Sequence, residues 1–423
     1  MKVMRRNTTP NIMVLGGNCL GKGAEAMMLT VRDAIKTTFP DAVLWVEPAD
    51  RAERQRLQRY GFRTVKRSPH WLVRNVISFA LASLGVPCQR RVDPETIGPQ
   101  GISNVFRVSN VVVDISGFKS SDQFGPRRAL RRCGVCRLVR FAGNRLIFMP
   151  QAWGPFKNRW VRLLTRLALQ NADLIYAREK MSAAHLVEAG CVASHKVLLS
   201  PDIAFQFHAS SPEDGRRVLA DAGLTDFSRP LVTLTPNMRI FERVPGQGTD
   251  NVYLSALLDS LEWFLRNTSC QIVLIAHEAA YRGPNDPDLC TMLLDQLSDR
   301  KRAFLLPATE SAADVKAVIG LSDFLVASRY HSLIAALSMR VPAAVIGWAH
   351  KYDEVMREVS LEEWVVDPVR RSDRNLKDVV IEGWNRRDTI RRTLQERVPE
   401  LEEKSRGALE KMLDIIRSLE AGR

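Results

Sequence analysis

A chain of 423 residues with 45% hydrophobic and 26% charged side chains has ordinary globular composition, which excludes wholesale disorder and a fibrous fold. Lysine and arginine number 61 against 47 aspartates and glutamates, a net charge of +14. That balance favours an anionic partner, whether nucleic acid, acidic lipid, acidic glycan or a phosphorylated small molecule.

The basic N-terminus, Met1 to Arg6, runs directly into a strand-like segment, without the apolar stretch or cleavage site of a signal peptide. No run reaches the roughly 18–20 apolar residues of a membrane span. The nearest, 76–87, reads as a buried helix or as a patch that touches a membrane. The seven cysteines are scattered, and Cys133 and Cys136 form the one CxxC, without the second pair of a zinc ribbon. Reduced thiols, no metal and a cytoplasmic location are expected, with peripheral contact at the inner membrane face left open.

In chain order, short apolar runs predict strands at 12–15, 43–46, 111–114, 146–149, 174–176 and 197–199. A second series follows at 231–235, 272–275, 304–306, 324–326 and 344–346. Helical patterns fall between them, as at 24–38, 160–170, 252–266, 312–319 and 332–339. Nearly all-apolar strands suit parallel sheets buried on both faces, so the fold class is α/β with helix-flanked parallel sheets. The polar stretch 206–228, with Ser210, Ser211, Pro212 and Gly215, reads as a linker. It separates two Rossmann-like domains, 1–205 and 229–371, and a charged helical tail at 372–423 is expected to form one or two packing helices. Ligands are expected near the carboxyl ends of the strands, in the cleft between the halves.

Charge concentrates in 119–166, where Lys119, Arg127, Arg128, Arg131, Arg132, Arg137, Arg140, Arg145, Lys157, Arg159, Arg162 and Arg166 face the single acid Asp122. This is a solvated face, an electropositive cleft wall or a surface for acidic lipid headgroups. Nucleic acid is not the expected partner, because no helix-turn-helix, zinc-finger or RNP signature occurs and few aromatics sit among the arginines.

Several strand ends carry polar or glycine-rich turns. Gly16-Gly17-Asn18-Cys19-Leu20-Gly21-Lys22-Gly23-Ala24-Glu25 opens the first helix, where small residues let backbone amides approach an anion. Asp114-Ile115-Ser116-Gly117 leads to Asp122, and Gln151-Ala152-Trp153-Gly154-Pro155-Phe156 follows the next strand. In the second series, Thr235-Pro236-Asn237-Met238-Arg239 ends one strand and Ser328-Arg329-Tyr330-His331-Ser332 joins another to its helix. A fixed guanidinium there can hold phosphate or carboxylate in a bidentate way, and a histidine two residues on can exchange protons near neutral pH. Gly347-Trp348-Ala349-His350-Lys351-Tyr352 adds phosphate-capable donors. His70, His185, His195 and His208 have no such setting and read as surface or packing residues.

At these residues the chain resembles the polysaccharide pyruvyl transferase family, from about residue 12 to 367. The resemblance rests on six motifs in order. They are the Gly17-Asn18 to Glu25 loop, Asp114-Ile115-Ser116-Gly117 with Asp122, and Pro150-Gln151-Ala152-Trp153-Gly154-Pro155-Phe156. After them come Arg178-Glu179 with Ser182, Ser328-Arg329-Tyr330-His331 running to Ala335 and Ala336, and Gly347 to Tyr352. Ala152 stands where the family pattern often has serine, which puts one hydroxyl contact in doubt.

The resemblance implies two Rossmann-like halves in a glycosyltransferase-B-like arrangement. It implies transfer of pyruvate from phosphoenolpyruvate to a sugar, as a cyclic ketal across two hydroxyls, with no redox cofactor. The acceptor is expected to be a sugar of a polysaccharide or of a lipid-linked precursor. Donor contacts are expected at Arg329 and Arg239, with Asn237, Ser328, Lys351 and Tyr352. Acceptor contacts are expected at Gly17, Asn18, Ser116, Gly117, Gln151 and Arg178. His331 is expected to be the acid–base group, with Asp114, Asp122 or Glu25 activating acceptor hydroxyls. The alternatives are a nucleotide-sugar glycosyltransferase of the same architecture and a non-catalytic module that binds acidic glycan or lipid.

Overall fold

The computed structural model describes residues 9–65, 102–170, 172–246, 248–279, 283–347, 349–367 and 374–421. The apolar run 76–87, His70, Cys88 and Trp348 lie outside the described residues. Two compact units emerge. Unit 1 is Met1–Cys19, Met27–Ile203 and Lys404–Arg423; unit 2 is Leu20–Ala26 and Ala204–Glu403.

The strands of unit 1 are β1 Asn11–Leu15, β2 Val43–Val46, β3 Arg63–Thr64, β4 Val111–Asp114, β5 Phe118–Ser120, β6 Arg145–Trp153, β7 Leu174–Ala177 and β8 Val197–Leu199. Their order is β3-β2-β1-β4-β6-β7-β8, with β5 on the end of β6, and the pairings are parallel. Each central strand is buried along its length, as apolar residues covered by helices on both faces must be. The strand expected at 146–149 continues to Trp153 through Pro150. Proline offers no N–H to the ladder, and there the register slips, from Phe148 opposite Ile175 to Gln151 opposite Ala177. That bulge sets the direction of Gln151.

Unit 2 holds β9 Leu231–Thr235, β10 Gln271–Ile275, β11 Ala303–Leu306, β12 Phe324–Ala327, β13 Ala343–Ile346 and β14 Val365–Val366. The order β11-β10-β9-β12-β13-β14 is that of a doubly wound Rossmann sheet. The direction in which successive strands are added reverses between β1 and β4 in unit 1 and between β9 and β12 in unit 2, with the strands themselves parallel. These are the switch points where α/β sheets open a crevice past the strand ends.

One sequence expectation needs correction. The polar stretch 206–228 is not a free linker, because it contains the helix Pro212–Asp221 of unit 2. The serine and proline that suggested a linker start that helix: the Ser211 hydroxyl accepts from the Asp214 amide at 3.1 Å and Pro212 fills the first turn. Gly215 lets the helix lie close to its neighbour, since a Cβ there would sit 3.2 Å from the Ala317 Cβ. The described part of 372–423 consists of two helices. Helix Leu376–Asn385 packs in unit 2, where Trp384 meets Phe264 edge-on at 5.3 Å and Phe324 at 6.2 Å. Helix Arg387–Ala421 is shared in sequence between the units, changing membership after Glu403. In unit 2, Glu402 takes both guanidinium nitrogens of Arg340, at 2.5 and 2.8 Å. In unit 1, Ser405 donates to the Asp202 carbonyl at 3.1 Å. The first helix, Lys22–Thr38, is likewise divided, its residues up to Ala26 counting with unit 2.

Phe264 is fully buried against Phe324 and Trp384. Phe264→Ala is therefore expected to lower stability by about 3–5 kcal/mol, read as a shift of the urea unfolding midpoint with unchanged m-value.

Candidate active site

In unit 2 the turns past β9, β10 and β12 are held by buried polar contacts. Asn237 caps the short helix Met238–Phe241 by accepting from the Arg239 amide at 2.9 Å, and its Nδ2 donates to the Ser328 carbonyl at 3.0 Å. The buried Tyr253 hydroxyl accepts from the Asn237 amide at 2.9 Å and donates to Ser328 Oγ at 2.7 Å. Burial raises the Tyr253 pKa, so it stays a phenol. The Tyr352 hydroxyl donates to the Ser328 carbonyl at 3.1 Å. Asn237, Ser328 and Tyr352 were expected to touch the donor. All three are buried and serve the joint between two turns.

Arg329 precedes helix Tyr330–Ser338. Its guanidinium pairs with Asp286 and with Glu278. Asp286 is fully buried at the start of helix Asp286–Gln296, and its other contacts are backbone amides: Met238 N at 3.1 Å and Glu278 N at 3.0 Å. One carboxylate thus gathers the turns past β9, β10 and β12. Burial raises the Asp286 pKa, and Arg329 pulls the other way. Burial also works against the charge on Arg329, and Asp286 and Glu278 outweigh it, so the guanidinium stays protonated. Glu278 is about half exposed, at 47%, and is the solvent-facing partner of the three.

His331 lies on the first turn of the same helix, edge-on to Tyr330 at 5.4 Å between ring centroids. Gly23 lies against it: a Cβ at Gly23 would overlap the His331 ring. The segment Leu20–Ala26 is tied to the turn past β10, with Lys22 N donating to the His277 carbonyl and Ala279 N to the Leu20 carbonyl, both at 3.0 Å. The Lys22 ammonium donates to the Ala308 and Glu310 carbonyls at 2.9 and 2.5 Å. His277 is buried beside these groups. Burial, then the charges of His331, Arg329 and Lys22, hold its pKa well below the ordinary value, so it is neutral at neutral pH. Lys22, His277 and His331 line a cavity of about 20 Å³, room for one water. Of the remaining donor candidates, Lys351 lies over the Tyr330 and Tyr352 rings at 5.0 and 5.4 Å, and Arg239 is exposed and paired with Glu242 at 2.7 Å. Glu25 is fully buried.

Unit 1 brings its two motifs together through an arginine that the sequence showed only as part of a basic run. Arg132 meets Asp114 at 3.1 Å and donates to Gln151 Oε1 at 3.0 Å, with its guanidinium over Phe148 and Trp153. Asp114 also accepts from the Ser116 amide at 2.9 Å. Gly16, at φ +87°, is pressed against Ser116, and a Cβ at Gly17 would lie 2.8 Å from Met28 Sδ. The Gly117 carbonyl accepts from Ala152 N at 2.7 Å, which zips the turn past β4 to the end of β6.

Two expected roles in unit 1 give way to structural ones. Asp122 accepts from the amides of Lys157 and Asn158 at 2.6 and 3.1 Å, anchoring the turn before helix Arg159–Leu169. Arg178 has a side chain only 3% exposed and pairs with Asp202 at 2.7 Å, with Glu179 beside it. Glu179 accepts from Ser182, whose hydroxyl takes the Trp153 amide at 2.8 Å. That element is a buried brace and leaves no arginine surface for an acceptor. His185 packs under Gly154 with Nδ1 2.9 Å from the Trp153 carbonyl, which is the packing side of the surface-or-packing expectation. Among the described residues no cluster of three metal-ligating side chains occurs.

The signals for the missed residues are partial. His277 and Glu278 follow the apolar strand β10 as Asn237 follows β9, a position that marks the rim. Asn285-Asp286-Pro287-Asp288 reads as a helix start, and the structure indeed forms a capping box there, which hides the second role of Asp286.

A family model for polysaccharide pyruvyl transferase matches residues 22–350. The chain belongs to that family. No curated protein sequence matches it. Among solved structures it is similar to Anabaena Alr3699/HepE in complex with UDP and glucose, at TM-score 0.57 and 13% identity, covering 97% of this chain and 100% of that one. It is also similar to the Neisseria meningitidis UDP-GlcNAc 2-epimerase bound to UDP-GlcNAc, at TM-score 0.56 and 11% identity, covering 96% and 100%. At such identities the likeness concerns the fold, which is the glycosyltransferase-B-like one of two helix-flanked parallel sheets.

The buried Asp286–Arg329 pair predicts a specific stability pattern. Asp286→Ala is expected to cost about 3–5 kcal/mol, because it strands a buried guanidinium. Asp286→Leu with Arg329→Met is expected to recover part of that loss, not all, since two amides keep no acceptor; urea unfolding of wild type and the two variants measures it. His277 predicts a pH effect. Its folded-state pKa is depressed, so its contribution is complete above the unfolded value of 6.5 and declines as pH falls below it. Thermal melts should show an acid-side decline of up to about 1.4 kcal/mol per pH unit below pH 6.5 that His277→Gln reduces.

Proposed function

We propose that this protein transfers pyruvate from phosphoenolpyruvate to two hydroxyls of a sugar in a polysaccharide or lipid-linked glycan precursor, releasing phosphate. The observation that carries the reading is the junction past β12, where Arg329 and His331 flank a helix start inside a family that moves pyruvyl groups. Lys22 adds a second cation near this junction, and the buried His277 beside it stays neutral. A donor with a carboxylate and a phosphate suits such a place.

In the proposed reaction, protonated His331 gives its proton to C3 of the enol. One sugar hydroxyl bonds to C2 and loses its proton to a carboxylate or to solvent. The second hydroxyl then bonds to C2 as the C2–O bond to phosphate breaks, and phosphate leaves with that hydroxyl's proton. Arg329 holds the donor by exchanging Glu278 for a substrate anion while Asp286 keeps it in place. Asp114 is the proposed acceptor-side carboxylate, and Gly17, Asn18, Ser116, Gly117 and Gln151 at the ends of β1, β4 and β6 are the proposed acceptor contacts. The reaction needs no cofactor beyond phosphoenolpyruvate.

A second reading, a nucleotide-sugar transferase, draws on the similar structures described with UDP or UDP-GlcNAc. Titration calorimetry separates the two. Saturable phosphoenolpyruvate binding is expected, weakened by Arg329→Lys, which keeps the charge but loses the fork. Glu278→Ala should tighten it by up to about fivefold by removing a competing carboxylate. His331→Ala should leave binding in place and lower turnover by about 10²–10⁴-fold. Binding of UDP with none of phosphoenolpyruvate would replace this reading with the second.

A further inference from the structure

Helices Gly125–Phe141 and Arg159–Leu169 cross between β5 and β6 and between β6 and β7, and they pack side by side on one face of the unit 1 sheet. Their inward sides are the buried Cys133, Cys136 and Val139 on one and Val161, Thr165, Ala168 and Leu169 on the other. Their outward sides are unusual in two respects.

Large apolar side chains stand in water there. Leu130 is 58% exposed, Phe141 42%, Trp160 51% and Leu163 45%. Leu130 and Phe141 lie about three turns apart on the same stripe, and Trp160 and Leu163 are one turn apart. The second feature is charge. Arg127, Arg128, Arg159, Arg162 and Arg166 are exposed on the same two helices. None of these five has a carboxylate partner among the described residues, whereas two arginines between them in sequence do: Arg140 and Arg145 share Asp173.

We infer that this two-helix face docks on a lipid bilayer that contains anionic headgroups. The arginines meet the phosphates while Leu130, Trp160 and Leu163 enter the boundary between headgroups and acyl chains. Among the described residues no helix is long and apolar enough to cross a membrane, so the contact is at the surface. Charge decides against a second copy of the chain, because pairing two such faces sets arginine against arginine. Nucleic acid would use the arginines but leave Leu130, Leu163 and Phe141 with nothing apolar to cover. The inference stands on this face alone and is independent of the reaction proposed above.

Co-sedimentation of the full chain with vesicles tests it. Binding is expected to phosphatidylcholine vesicles carrying phosphatidylglycerol, weaker at high salt, and not to phosphatidylcholine alone. Arg127→Gln and Arg162→Gln should each weaken it by roughly fivefold. Trp160→Ser with Leu163→Ser should weaken it at constant charge. These side chains are exposed, so the variants should keep the wild-type melting temperature, which is checked in parallel. No binding to the anionic vesicles would overturn the inference, as would binding indifferent to Trp160 and Leu163. Tighter binding to a nucleic acid duplex than to vesicles would assign the face to nucleic acid instead. Self-association abolished by the Trp160 and Leu163 changes would assign it to a second copy.

Discussion

The carboxylate of Asp286 is the constraint on which unit 2 most depends. A charge with no exposed surface persists in a folded protein only when its partners replace water. Asp286 finds them in the Arg329 guanidinium and in the amides of Met238 and Glu278. Those groups sit on the turns past three neighbouring strands, so satisfying one buried ion fixes the relative positions of all three. His331 inherits its place from that arrangement, since it follows Arg329 by two residues on a helix whose first turn the pair anchors. Gly23 then has to be glycine, because the imidazole occupies the volume of its missing side chain.

Unit 1 solves a similar problem with the opposite charge. Arg132 is drawn inward over two aromatic rings and compensated by Asp114 and the Gln151 amide oxygen. The bulge that Pro150 forces on β6 sets the direction of Gln151, and the turn after β4 presents Asp114. A helix arginine therefore joins two strand ends that the chain separates by more than a full strand–helix unit. The same helix turns Arg127 and Arg128 outward, where no carboxylate among the described residues pairs with them. One segment of sequence thus supplies both an internal brace and an uncompensated surface.

The site chemistry follows from which charges are spent and which remain exchangeable. Arg178 is spent on Asp202, and Asp122 on two amides. Arg329 is spent on one side only, because Asp286 is buried while Glu278 reaches solvent. A guanidinium held by one fixed and one displaceable carboxylate is oriented in advance for an incoming anion. The neutral His277 beside it adds no competing proton donor.

The architecture was legible in the chain itself. Four- and five-residue apolar runs bury on both faces only in parallel, helix-covered sheets, so the pattern named the fold class and placed the central strands within a residue or so, except β6, which runs four residues further. The Ser328 to His331 junction was legible for the same reason, since polar residues just past a buried strand have to lie on the rim. The two-residue strands β3 and β14 were not, because so short a pairing leaves no period to read. Helix Pro212–Asp221 was missed because its capping residues have the composition of a linker, and only its packing on the helix Ala312–Gly320 distinguishes the two. Asp286, Arg132 and His277 could not be singled out in advance. Each lies in sequence among ordinary helix starts, basic runs or strand ends, and its role depends on partners elsewhere in the chain, such as Asp114 and Gln151 for Arg132 and Met238 and Arg329 for Asp286. Local sequence determines which backbone states and which faces are available; which buried charges meet is decided only when the sheets close and water leaves.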